Sequence, residues 1–206
     1  MSKLNKRISF LVMALVLVVN LAMGQYSSKD FLTHKIIVNH DNYTVVAYVK
    51  PTHKIYVESD RLYYWFSTNL IKSTQGGYSG KLLNGRYQEF FLNKNLKEWG
   101  AFSAGLKTGK WKSWDEAGKL KEEYCWDSGK KNGAYSKYDS VGRIAEKGKY
   151  RNDLLNGKQT VIIGDSTKIN YFKKGKPTEK PHFIPKFIRD IFSKKNTKNT
   201  ENQTQL

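Results

Sequence analysis

Four glycines, Gly85, Gly109, Gly133 and Gly157, recur at one fixed period of 24. A constant spacing of that size restricts the chain to an array in which one small unit stacks on the next. The columns around the glycines agree in chemical type. Two residues after each glycine come Tyr87, Trp111, Tyr135 and Gln159, and five after come Phe90, Trp114, Tyr138 and Ile162. Eleven after come Leu96, Leu120 and Ile144; fifteen after come Gly100, Tyr124, Gly148 and Phe172; seventeen after come Phe102, Trp126 and Tyr150. Counting back one period puts Tyr63 and Phe66 in the aromatic columns and Gly76 and Tyr78 in the fifteenth and seventeenth. Tyr63 to Gly80 therefore reads as a degenerate leading unit. The unit from Gly157 loses its aromatics, as an end repeat facing water should.

Each unit reads as two strands. Asn84-Gly85, Asn132-Gly133 and Asn156-Gly157 are dipeptides favoured in type I′ hairpin turns, because both central residues take positive φ there. The opposite end of each unit has its own turn signal, in Asp115 to Gly118, Asp139 to Gly142, Asn93 to Asn95 and Gly164 to Ser166. Between turns lie runs such as Leu120-Lys121-Glu122-Glu123-Tyr124-Cys125-Trp126, which mix rings and charges as a half-buried antiparallel strand does. The expectation is an all-β chain: a single-layer antiparallel β-meander of about four to five hairpin repeats of that period over 61–172.

The units Gly105-Leu106-Lys107-Thr108-Gly109-Lys110-Trp111-Lys112-Ser113-Trp114 and Gly129-Lys130-Lys131-Asn132-Gly133-Ala134-Tyr135-Ser136-Lys137-Tyr138 carry a resemblance. They look like the MORN repeat, in the variant form of the YwqK-like antitoxin family. The resemblance covers about residues 61–172. It implies a hairpin array that acts as an interaction or assembly module, and its family label implies neutralisation of a toxin.

The segments on either side differ from the repeats. Lys3, Lys6 and Arg7, the apolar run Ile8 to Leu21 and the small residues Ala22 and Gly24 predict a signal peptide over 1–24, cleaved after Gly24. Residues 25–60 contain two β-rich runs, Lys35 to Val38 and Tyr43 to Val49, with a further strand expected over Lys54 to Glu58. These strands are expected to cap the first edge of the meander, because a bare edge invites aggregation. Residues 173–206 form a basic tail in which Phe183, Ile184, Phe187, Ile188, Ile191 and Phe192 fall on one face of a short amphipathic helix. Lys186, Arg189, Lys194 and Lys195 flank that face. The stripe is expected either to cover the sheet edge after Tyr171 and Phe172 or to lie on an anionic membrane.

The chain holds 36 basic and 18 acidic side chains, a net charge of +18. Loss of residues 1–24 would remove three positive charges and leave +15. Such a balance points to an acidic protein partner or an anionic membrane surface, and the export signal argues against nucleic acid. The lone Cys125 excludes an intramolecular disulfide framework and reads as a buried structural thiol. His34, His40, His53 and His182 lie outside the regular repeats and, with Asp41, supply no complete metal-ligand set. No catalytic residues, cofactor site or phosphate-binding glycine loop emerges. The recurring rings read as core. The rings outside the columns, Tyr64, Trp65, Phe91 and Trp99, are the candidate partner contacts. Lys110, Lys112, Lys119 and Lys121 alternate with core positions, as on a solvated face, and would also align as a basic stripe across adjacent strands. The function expected is non-enzymatic binding or scaffolding in the bacterial cell envelope, in a periplasmic or extracellular protein. The alternatives are peripheral membrane attachment and neutralisation of a toxin protein.

Overall fold

The computed structural model describes residues 33–51 and 55–180. Its elements are strands: β1 (His34–Asn39), β2 (Tyr43–Val49), β3 (Leu62–Ser67), β4 (Leu70–Gln75), β5 (Lys81–Phe91), β6 (Leu96–Ser103) and β7 (Leu106–Trp114). There follow β8 (Leu120–Asp127), β9 (Lys130–Tyr138), β10 (Ile144–Arg151), β11 (Leu154–Leu155), β12 (Gly157–Ile163), β13 (Ser166–Lys173) and β14 (Lys176–Thr178). They make one open antiparallel meander, in the order β1-β2-β5-β6-β7-β8-β9-β10-β12-β13-β14. The expected all-β hairpin array is the observed fold. The expected signal peptide and the C-terminal stripe from Phe183 to Phe192, with Lys186, Arg189, Lys194 and Lys195, lie outside the described residues.

The turns fall elsewhere than expected. Two-residue turns with positive φ at both positions occur at Thr68-Asn69, Ala104-Gly105, Ser128-Gly129, Asn152-Asp153 and Lys174-Gly175. These are the type I′ hairpins, and in the repeats they precede the period-setting glycines by four positions. Gly85, Gly109 and Gly133 do take positive φ, at 107°, 68° and 121°, but inside strands. Each sits where the ladder shifts register, between Ala47 and Val49, Trp99 and Ala101, and Tyr124 and Trp126 on the neighbouring strand. They are bulge residues, and only glycine takes such a kink without strain. The asparagine before the glycine has a separate task. Asn84 Oδ1 accepts from the Ala104 amide at 3.0 Å, and Asn156 Oδ1 from the Lys174 amide at 3.4 Å, so each braces the next two-residue turn. The turns at the opposite ends are where the sequence puts them: the Gly118 amide donates to Asp115 O and the Gly142 amide to Asp139 O, both at 3.0 Å.

Strand alternation gives the sheet two unlike faces. On one, the ring face, Tyr87, Phe102 and Trp111 are buried with Val38, Val45, Ala47, Val49 and Leu83. Trp111 and Phe102 meet edge to face at 5.0 Å, and Tyr87 lies 5.4 Å from Trp111. Farther along, Tyr124 stacks on Tyr135 at 5.5 Å, and Tyr135 meets Tyr150 at 4.9 Å. Glycine opposite a ring makes room for it: a Cβ at Gly100 would overlap the Trp111 indole, and one at Gly148 would meet the Tyr135 ring. The recurring rings two positions after each glycine are thus core, as expected, while Phe90, Trp114 and Tyr138 in the next aromatic column are half-buried on the other face.

The ends depart from a plain row. The β1–β2 hairpin pairs with β5 at the first edge of the row. The degenerate leading unit leaves the row: β3 pairs with the first residues of β5, through Trp65 to Leu82 and Phe66 to Lys81. Its hairpin lays Tyr64, Phe66 and Ile71 over the ring face as a local second layer. Ile55 to Glu58 is not a strand, but Ile55 and Val57 close a second cluster around Tyr63, Trp65 and Leu82. At the far end, β14 pairs with Tyr171 and Phe172, so a short strand takes the place that the sequence left open.

Replacing Gly100 with alanine drives a methyl into the Trp111 ring, and overpacking of this kind costs about 1–3 kcal/mol. A thermal or urea melt should show that loss for Gly100→Ala. The same change at Gly77, where a Cβ has open space, should leave the midpoint within about 0.5 kcal/mol.

Candidate functional site

The second face of the sheet carries the candidate site. Register pairs Gln88 with Trp99, Trp99 with Lys112, Lys112 with Glu123, Glu123 with Ser136, Ser136 with Lys147, and Lys147 with Thr160. A parallel row holds Arg86 opposite Ala101, Lys110 opposite Cys125, Lys149 opposite Ala134 and Lys158 opposite Tyr171. Lys35, opposite Tyr48, continues it at the first edge. Lys35, Arg86, Lys110, Lys147, Lys149 and Lys158 are all exposed, and none forms an ion pair among the described residues. The carboxylate within these rows, Glu123, is already held by Lys112 at 3.5 Å and by the Tyr138 hydroxyl at 3.4 Å. The face is therefore a concentration of uncompensated positive charge.

One indole opens onto it. Trp99 is 36% exposed, and it borders a shallow depression with Gln88, Leu96, Lys110, Lys112 and Trp114. A ring flanked by flexible cations puts an apolar surface and an electrostatic rim in one place.

The other three candidate rings go elsewhere. Trp65 is 7% exposed and packs with Tyr63 and Leu82, its Nε1 donating to Thr74 Oγ1 at 2.9 Å. It is core, and the expectation of an exposed contact is corrected. Two positions along a strand from buried Tyr63 it shares that face, and both sides of this hairpin are covered. Tyr64 is half-buried on the opposite side of the same hairpin, 4.9 Å from Phe102. Phe91 is half-buried, with Lys97 Nζ 5.7 Å from its ring centroid. Cys125 is partly exposed in the basic row beside Lys110, so the expectation of a fully buried thiol is corrected as well.

The ring face handles its charges differently. Glu98, Glu122 and Glu146 recur with the period of the glycines, as do Lys107 and Lys131, so both series are visible in the sequence. Lys107 Nζ lies 3.7 Å from the Trp111 centroid and 3.1 Å from Glu98. Lys131 Nζ lies 4.1 Å from the Tyr124 ring. Glu89 is paired with Lys97 at 2.6 Å, and Glu146 with Lys137 at 3.0 Å. Cations over rings and beside carboxylates are internally satisfied, so this face is scaffold. The Tyr135 hydroxyl donates to Glu146 at 2.5 Å, Gln159 Nε2 to both at 3.0 Å, and Asn170 to Gln159 at 3.0 Å. Desolvation alone would raise the Glu146 carboxyl, but the hydrogen bonds from Tyr135 and Lys137 outweigh it and hold the group below its ordinary value. Burial, followed by the hydrogen bond to Glu146, pushes the Tyr135 hydroxyl well above its ordinary value.

Among the described residues no three of His, Cys, Asp and Glu are placed to hold a metal ion. His40 is stacked on Tyr43 at 4.2 Å. No helix among the described residues is long and apolar enough to cross a membrane. No family model matches the chain, and no curated protein and no solved structure matches it either.

Two outcomes follow from this geometry. Trp65→Ala should cost about 3–5 kcal/mol in a denaturant melt, whereas Trp99→Ala should cost under about 1 kcal/mol; equal losses would contradict the placement of the two rings. Because the Glu146 carboxyl is depressed in the fold, it stabilises above its unfolded-state value near about pH 4 and loses that effect as pH falls through its lowered value. Melting temperatures measured from neutral to acid pH should therefore fall less steeply for Glu146→Gln than for the unmodified chain.

Proposed function

We propose that this chain is a non-enzymatic binding module of the bacterial cell envelope that docks an acidic protein surface through the basic face, with Trp99 as the apolar anchor. The observation that carries it is the contrast between the two faces. Glu89, Glu98 and Glu146 on the ring face each have a lysine partner. On the other face Lys35, Arg86, Lys110, Lys147, Lys149 and Lys158, together with Arg151, Lys173 and Lys176, are exposed and have none among the described residues. Like charges held on a rigid sheet raise one another's potential, a cost to the free protein that an acidic partner removes. The resemblance to MORN repeats and the export-like N-terminus support the interaction role and the envelope location.

The test is mild crosslinking of the purified full chain in envelope extract from the producing cells. Comparison is with Trp99→Ala and with the triple variant Lys110→Glu/Lys147→Glu/Lys149→Glu, each first shown to melt like the unmodified chain. A discrete acidic protein should be captured. Its capture should fail in both variants and at about 1 M salt, where the Debye length falls to about 3 Å. Capture that survives the triple variant would refute the docking face. Flotation with phosphatidylglycerol vesicles, without a captured protein, would replace the protein partner with an anionic membrane.

A further inference from the structure

The two ends of the sheet are unlike. The last strand in the row, β14, is three exposed residues long and contains Pro177, which offers no amide donor. Shortness and proline both blunt an edge. The first strand, β1, has neither. It pairs with β2 without interruption from His34 to Asn39, and its other side has no partner among the described residues. Lys35 is its one side chain charged at neutral pH, and Ile37 is 60% exposed.

The hydrogen bonds of β1 show what this edge offers. The His40 amide donates to Tyr43 O at 2.9 Å. In an antiparallel ladder the bonded positions alternate, so His34, Ile36 and Val38 bond to β2, while Lys35, Ile37 and Asn39 turn their N–H and C=O groups outward. We infer that this edge pairs antiparallel with β1 of a second copy of the chain, about a twofold axis at Ile37. Ile37 then stands opposite Ile37 of the second copy, Ile36 opposite its Val38, and Lys35 opposite its Asn39. The edge is complementary to itself: apolar residues meet apolar residues, the lysine meets an asparagine, and every outward N–H and C=O of the three finds a partner. Moving the axis to Ile36 leaves Asn39 without a partner among the strand residues and brings the two copies of Lys35 to about 7 Å along the strands, against about 14 Å with the axis at Ile37. Only the longer distance exceeds the Debye length of about 8 Å at physiological salt.

The axis stands perpendicular to the sheet, so each face continues on its own side. Ile36 and Val38 already belong to the ring-face core, and the pairing extends that core into the second copy. On the other face the row Ile37, Val46, Gln88 and Trp99 meets its own copy, so one surface presents two Trp99 indoles and two sets of free cations. Edges of this length bury less than the roughly 1,200 Å² of a stable complex, so the dimer is reversible and a partner with two acidic sites would strengthen it. The pairing does not depend on the function proposed above; its use as a two-site surface does.

Sedimentation velocity of the full chain over a range of concentrations is the test, after each variant has been shown to melt like the unmodified chain. Ile37→Lys puts two lysines face to face at the axis; Val141→Lys, at an exposed residue in the turn between β9 and β10, is the control. Expected is a reversible monomer–dimer equilibrium, weakened at least about tenfold by Ile37→Lys and unchanged by Val141→Lys. Salt at about 1 M screens the repulsion between the copies and should tighten the dimer, the opposite of its effect on capture of an acidic partner. In a Cys125→Ser background, Ile37→Cys should oxidise to a disulfide-linked dimer, because the two Cα atoms of a bonded antiparallel pair lie about 5.5 Å apart. Asn39→Cys should not, because its two copies are about 14 Å apart along the strands. A chain that stays monomeric at every concentration, a dimer that survives Ile37→Lys, or a crosslink at Asn39→Cys and not at Ile37→Cys would overturn the inference. Capture of an acidic partner that still depends on Trp99 would then leave the proposed function standing.

Discussion

The Trp111 indole packs against the backbone at Gly100, and the edge of the Tyr135 ring packs at Gly148. The rest of the sheet depends on that contact. A thin meander has little interior, and a ring standing on a neighbouring strand would project into water. Glycine opposite the ring lets it lie down, so that one aromatic side chain covers two strands and touches the next ring in the row. The pair recurs in alternate units, and in the unit between them Tyr124 stacks on Tyr135; together they carry a continuous apolar seam along the ring face, with each unit stabilised by its neighbours. The seam is thickest at the start, where the β3–β4 hairpin covers it. It turns polar at the end, where Gln159 takes the ring position and hydrogen-bonds Tyr135 and Glu146.

The same seam explains why the two faces have different chemistry. Charges beside the rings are desolvated and must be paired, which is why lysines there sit over rings or against glutamates. The opposite face carries no such demand. Its cations stay hydrated, and leaving them unpaired costs little beyond mutual repulsion. Free charge therefore collects on the face that the fold does not need, and that face is available for a partner.

Much of the array was legible in the sequence because the period is visible in several columns at once. Gly85, Tyr87 and Phe102 repeat with their chemical types, and the two ring columns hold the core. Two errors arose where one residue type serves two geometries. Asn-Gly is favoured in a hairpin turn, but glycine's positive φ serves a bulge equally well. The register shift beside Gly85 and the long-range bond that the Ala104 amide donates to Asn84 Oδ1 show which geometry is in use. Trp65 was misplaced because it stands outside the ring columns, although the two-residue alternation of a strand already aligned it with Tyr63. The glutamate series Glu98, Glu122 and Glu146 needed only the same counting applied to charged residues.

The sequence by itself determined the unit: its length, its two strands, the rings that pack it and the glycines that make room for them. Length, strands and rings are local or periodic properties copied from one repeat into the next, and the room-making glycines Gly100 and Gly148 fall in alternate repeats. Tertiary structure decided what depends on residues far apart in the chain. It set the β1–β2 hairpin on β5 and turned the leading β3–β4 hairpin onto the ring face. It also brought Lys35 and Lys149 onto the face that holds Arg86, Lys110 and Lys158. Arg86, Lys110 and Lys158 each follow a period-setting glycine, whereas Lys35 and Lys149 do not. Their alignment comes from strand pairing and bulge positions, because each bulge resets which side chains stand opposite one another across the ladder.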